Sequence, residues 1–123
     1  KQIAQGFHGV SNHLLNTAWP KVTRGTKALS QCLKTGSTDD NTLFELLKDR
    51  HIARDDQLPQ TGVGPEWERI LSPMFIQSPT YGTRSSTLIR VDADRFITIT
   101  ERTYDPADQS QFSDRCFTLP PGR

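Results

Sequence analysis

The sequence predicts an α+β fold in which a helix layer packs on an antiparallel sheet. Apolar residues recur at helical intervals through the first half, and after Ser72 the period changes to strand-like runs rich in Ile, Phe, Thr and Val. Between two of those runs stands Asp92-Ala93-Asp94, the composition of a hairpin turn. The resulting unit is two helices followed by a meander, with one sheet face left in need of cover.

Taken in order, Lys1 to Gln5 reads as a strand end. It is followed by the glycine-framed segment Gly6-Phe7-His8-Gly9-Val10-Ser11-Asn12, where backbone amides can come close to a ligand. Pro20 suits a first helical turn, Val22, Leu29 and Leu33 share one face, and Gly36 stops the helix, which places it at about 20–34. Ser37, Thr38, Asp39 and Asp40 can cap a second helix with Leu43, Phe44, Leu46 and Leu47 on its apolar face, ending near His51. Residues 53–65 read as a long loop at a site rim, leading into a short helical turn over Glu66–Leu71. Met74–Gln77, Ser86–Asp92, Arg95–Glu101 and Phe112–Leu119 are the predicted strands. Ile97 and Ile99 alternate with Phe96, Thr98 and Thr100, so that one face of their strand can be buried.

Composition narrows the function classes. Leu, Ile, Val and Phe number 28 of 123 residues, enough to fold around a thin core. A net charge of +1 with interspersed signs leaves no basic stripe, so no nucleic-acid partner is expected. The longest apolar run, Met74-Phe75-Ile76, is far too short to span a membrane, and no signal segment opens the chain. Cys32 and Cys116 are too few and too isolated for a disulfide scaffold and fit reduced thiols in the cytoplasm. The first residue, Lys1, is consistent with a fragment or a processed product of a longer chain, one domain or part of one.

Two clusters carry the candidate chemistry: Gly9-Val10-Ser11-Asn12-His13 and Tyr81-Gly82-Thr83-Arg84-Ser85-Ser86-Thr87. An Asn amide can donate to a developing oxyanion, and an Arg fork can hold a carboxylate or negative charge. On spacing alone, Asn12 is equally a turn residue and Arg84 equally an ion-pair partner. His8, His13 and His51 lack metal-ligand spacing, and no serine stands in a Gly-x-Ser-x-Gly elbow, so neither a metal nor a cofactor is expected. Trp19 and Trp67 read as core or inter-layer anchors, and Asp92 with Asp94 as a turn.

The run Gly9-Val10-Ser11-Asn12-His13-Leu14-Leu15-Asn16-Thr17-Ala18-Trp19-Pro20-Lys21-Val22 and the later Tyr81–Thr87, Val91-Asp92-Ala93-Asp94 and Thr100-Glu101-Arg102 resemble the NRDE family, in order and separation. That family includes the eukaryotic transport-and-Golgi-organisation protein. The resemblance implies the C-terminal half of an N-terminal-nucleophile hydrolase-like αββα sandwich, with the N-terminal half of the protein as its missing partner. The family's Asn-Arg-Asp-Glu signature and N-terminal Cys belong to that absent half, and Lys1 cannot replace the nucleophile. The implied activity is therefore amide (C–N) hydrolysis by the full-length protein on a small amide, with this chain inactive alone. Asn12 and Arg84 would be the catalytic positions, and Ser11, His13, Tyr81, Thr83 and Ser86 would line the substrate. The alternative it implies is non-enzymatic haem trafficking, with His8, His13, Cys32 and Cys116 as conceivable iron ligands. Uncovered apolar strand residues make a homo-oligomer a further expectation.

Overall fold

The computed structural model describes residues 2–122, so Lys1 lies outside the described residues. The elements run α1 (Pro20–Thr35), α2 (Asp40–Leu47), a 3₁₀ turn (Asp55–Gln57), α3 (Pro65–Leu71), β1 (Ser85–Val91), β2 (Ile97–Tyr104) and β3 (Phe112–Leu119). This is the α+β order expected, helices first and an antiparallel meander after. The chain divides into two compact units, Lys1–Ser78 and Pro79–Arg123.

In the first unit, local chemistry fixes the helix ends. Pro20 opens α1, and Gly36 closes it in the left-handed region at φ 73°. There Gly36 N–H donates to Leu33 O and Ser37 N–H to Cys32 O, which satisfies carbonyls the helix leaves open. Asp39 caps α2, its carboxylate accepting from Thr42 N at 3.1 Å and from Thr42 Oγ1 at 2.6 Å. The second helix stops at Leu47, four residues short of the expected His51. There Asp49 leaves the helical path: its carboxylate takes both Nε and Nη2 of Arg24 on α1, and its carbonyl accepts from Phe75 N at 2.9 Å.

Two sequence expectations are corrected in this unit. Residues 2–5 form no strand. Met74 and Phe75 are bent and Gln77 makes only a single bridge, so Met74–Gln77 is no strand, because Phe75 is drawn into the helical core. Phe75 is fully buried, as is Phe44, and the Met74 methyl reaches to where a Cβ on Gly25 would stand. Phe44, Ala53, Pro73 and Phe75 are the buried apolar residues here among those described, a core as thin as composition predicts. Trp67, expected as an anchor, is 41% exposed; Trp19 is half-buried as the N-cap of α1.

The second unit is a three-stranded antiparallel sheet in the order β1-β2-β3. Its first hairpin starts at Val91↔Ile97. Arg95 N donates to Asp92 O, Phe96 N donates to the Asp92 carboxylate, and Arg95 takes φ 67°. Arg95 and Phe96 are thereby spent on the turn, so β2 starts two residues later than the alternation alone predicts. On one face, Arg102 is buried and donates through Nε and Nη2 to Asp114, both at 2.9 Å, with its guanidinium carbon 3.9 Å above the Phe112 ring. Buried Tyr104 sits edge-on to Phe112 and donates to Ser86 Oγ at 3.4 Å.

The other face is apolar at one end. Register aligns Ile89, Ile99 and Phe117 in one row and Val91, Ile97 and Leu119 in the next. Ile89, Val91 and Phe117 are each more than half exposed. Toward the opposite end the same face carries Thr87, Glu101 and Arg115, then Ser85, Thr103 and Ser113.

Candidate functional site

The site is built first from the loop that precedes α1. Asn16 adopts φ 61°, and its backbone N–H donates to Gly9 O at 2.7 Å. Its side chain returns the bond, accepting from Gly9 N at 2.9 Å through Oδ1, while Nδ2 donates to His8 Nδ1 at 2.8 Å. His8 then places its Nε2 proton on Ala4 O at 2.7 Å, so both ring nitrogens serve the loop. Gly9 lies so close to α1 that an added Cβ would stand 2.8 Å from Val22 Cγ1. The loop is thus clamped onto the helix by residues 9 and 16, and its tip carries Ser11, Asn12 and His13.

Asn16 was not legible as a site-forming residue, because a second Asn four places after Asn12 gives no hint which amide is structural. The structure separates them. Asn16 is spent on the loop, whereas the Asn12 amide is exposed and takes no partner among the described residues. His13 bonds Thr17 Oγ1 through Nδ1 at 2.9 Å and lies beside the Trp19 ring, 5.5 Å between centroids.

Ser11 and Asn12 line a cleft of about 210 Å³ within the first unit. Trp19, Pro59, Val63 and Leu71 supply apolar wall; Lys21 from α1 and Glu68 from α3 supply charge. Lys21 donates from Nζ to Leu71 O at 2.8 Å, and burial pushes its pKa down from the ordinary lysine value. Glu68 is buried, and its Oε1 accepts from Thr61 N and Thr61 Oγ1, both at 2.6 Å. That pair of bonds folds the 59–63 loop down onto α3 and gives the cleft its second wall. Among the described residues Lys21 and Glu68 form no ion pair with each other.

The 53–65 loop, expected at a site rim, contributes Pro59, Thr61 and Val63 to the cleft; sequence reasoning missed Lys21 and Glu68 there. The Pro20-Lys21 start of α1 and the Pro65–Leu71 helix were both readable, but not that the intervening loop brings them to one cleft. A larger hollow of about 390 Å³ also touches Glu68. Its charged pair, Asp55 with Arg69 at 2.7 and 2.8 Å, is consumed in tying the 3₁₀ turn to α3.

The other predicted site residues fall in the second unit. Arg84 accepts Tyr104 N on its carbonyl at 2.9 Å, and its guanidinium is exposed with no partner among the described residues. Thr83 accepts Gln109 Nε2 on its carbonyl at 3.0 Å, Tyr81 is about half exposed, and the Ser86 hydroxyl is engaged by Tyr104. Cys32 and Cys116 are free thiols, the latter accepting from Thr100 Oγ1 at 3.6 Å. No helix among the described residues is long and apolar enough to cross a membrane.

Gly9–Val22, which builds the cleft loop of the first unit, and Tyr81–Thr87 of the second unit both lie within the stretch matched by a known family. Transport and Golgi organisation 2 matches residues 1–106. The chain belongs to this family. Relatives within the Transport and Golgi organisation 2 group include the protein 2 homolog of Homo sapiens, 29% identical over 94% of this chain and 45% of its own length. The Bos taurus homolog is 30% identical over 89% of this chain and 43% of its length, and the Mus musculus homolog 27% identical over 94% and 45%. The chain therefore spans less than half the length of the curated relatives it matches.

Proposed function

We propose that this chain is the C-terminal, substrate-holding part of an amide (C–N) hydrolase of the N-terminal-nucleophile kind, inactive alone and acting in the cytoplasm. The observation that carries the reading is the unspent Asn12 amide at the mouth of a cleft that also holds Lys21. An amide donor of this sort can bind the oxyanion that forms when a carbonyl is attacked. The nucleophile and its base would come from the remainder of the longer protein, where one terminal residue supplies both. Within this chain, neither Cys32 nor Cys116 is hydrogen-bonded to a histidine among the described residues. Arg84, exposed and unpaired among the described residues, is the second residue assigned to negative charge.

Hydrolysis is preferred to haem carriage because the cleft offers an amide, an ammonium and a carboxylate, with no thiol or imidazole among its lining groups. The apolar rows ending in Phe117 and Leu119 would be covered by the rest of the protein, and in its absence two copies of the chain would pair there.

The test is a fluorogenic amide panel on the full-length protein. Turnover is expected, and Asn12→Ala should lower kcat by about 10²–10³. Turnover that survives both Asn12→Ala and Arg84→Ala, or none on any amide, would overturn the reading.

A further inference from the structure

The cleft behind Asn12 carries opposite charges that do not neutralise each other. Lys21 uses one of its three ammonium donors on Leu71 O, leaving two. Glu68 receives both Thr61 bonds on Oε1. Its Oε2 has no partner among the described residues, yet is not a sealed, unsatisfied atom, so it faces reachable space. Leaving a carboxylate oxygen and an ammonium unpaired in a half-dry cleft costs free energy unless a ligand brings the complementary charges.

We propose that this cleft binds a free α-amino acid or the aminoacyl end of an amide, its ammonium on Glu68 Oε2 and its carboxylate or carbonyl on Lys21 and Asn12. The proposal rests on the cleft being the substrate-holding part of the function above, and it names the substrate class. The volume of about 210 Å³ falls below the ~300–1,000 Å³ of pockets for drug-sized ligands, which limits the guest to amino-acid size. Trp19, Val63 and Leu71 make the remaining wall apolar, so an aliphatic side chain is favoured over a charged one.

Two features make this a recognition site in preference to a general polar hollow. The charges arise from different elements, Lys21 from the first turn of α1 and Glu68 from α3, each fixed by its own hydrogen bond. A ligand with only one of the two charged groups would leave the other side chain unanswered, and such omissions discriminate strongly.

The experiment is calorimetric titration of the 123-residue chain with L-leucine, with N-acetyl-L-leucine, which lacks the ammonium, and with L-leucinol, which lacks the carboxylate. Leucine is expected to bind, and each analogue about tenfold or more weaker, since each loses a charge-assisted hydrogen bond. Glu68→Gln keeps an oxygen for both Thr61 donors and should erase the preference for leucine over the N-acetyl compound. Lys21→Met should erase the preference over leucinol. Where that variant unfolds, Asn12→Ala on the exposed loop reads the same contact. No heat with leucine, equal binding of the three compounds, or preferences unchanged in the variants would overturn the proposal. Leucine binding together with a full-length protein inert on amides removes the hydrolase reading and keeps this one. Turnover of amides lacking an amino group, without leucine binding, does the reverse.

Discussion

Replacing Asn16 separates two contributions to the loop that presents Asn12. Asn16→Gly keeps the left-handed backbone and removes two side-chain bonds, to Gly9 N at 2.9 Å and His8 Nδ1 at 2.8 Å. Both are exposed, so about 0.5 kcal/mol each is the fitting end of the range for a hydrogen bond, or about 1 kcal/mol together. Asn16→Ala loses the same bonds and forces a Cβ-bearing, non-hydrogen-bonding residue to φ 61°, adding roughly 1 kcal/mol. Amide hydrogen exchange at position 16, whose N–H donates to Gly9 O and keeps that acceptor in both variants, reads the opening directly. It should accelerate about fivefold in Asn16→Gly and about thirtyfold in Asn16→Ala. Equal acceleration in the two variants would refute the backbone argument, and unchanged protection in Asn16→Gly would refute the hydrogen-bond argument.

Further outcomes follow from other contacts. Arg102 holds the Asp114 carboxyl below the ordinary carboxylate range, so the stability this pair adds is complete above that range and is lost as pH falls through the folded-state value. Asp114→Asn should cost about 2 kcal/mol at neutral pH, less than a sealed pair because the carboxylate is partly open, and should shallow the acid limb of a urea-midpoint profile. Arg95→Gly relieves φ 67° in the hairpin and should stabilise by about 1 kcal/mol, seen as a rise in Tm; a fall would mean that the Arg95 side chain matters more than its backbone. Gly9→Ala meets stiff, β-branched Val22 and should destabilise by about 1–3 kcal/mol in denaturant titration. Gly25→Ala meets only the flexible end of Met74 and gains helix propensity, so its midpoint should hold or rise.

What could be read in the sequence was what local chemistry decides. Gly36 and Asp39 mark helix ends because a left-handed C-cap and a carboxylate N-cap act within a few residues. Phe112–Leu119 was readable to the residue because it is bounded by the turn composition of residues 105–110 and by Pro120-Pro121. Met74-Phe75-Ile76 is a more continuous apolar run, yet its Phe and Met are claimed by the core of the helical unit, and packing overrode propensity. The same limit applies to the cleft. Asn12 could be picked out as an amide in a glycine-framed loop, but Lys21 and Glu68 gain significance only from the Thr61 clasp, 40 residues from one and seven from the other.

The sheet face that carries Ile89, Ile99 and Phe117 is graded along its length, from aliphatic and aromatic rows beside the hairpin to Glu101 and Arg115 and then to hydroxyl-bearing rows. That gradient gives the face a direction. A covering surface seated one way round meets hydrocarbon with hydrocarbon and leaves the charged rows near water. Turned end for end, it would strip water from Glu101 and Arg115 and leave Phe117 wet. Three short strands therefore encode which way a partner must lie as well as where it can attach.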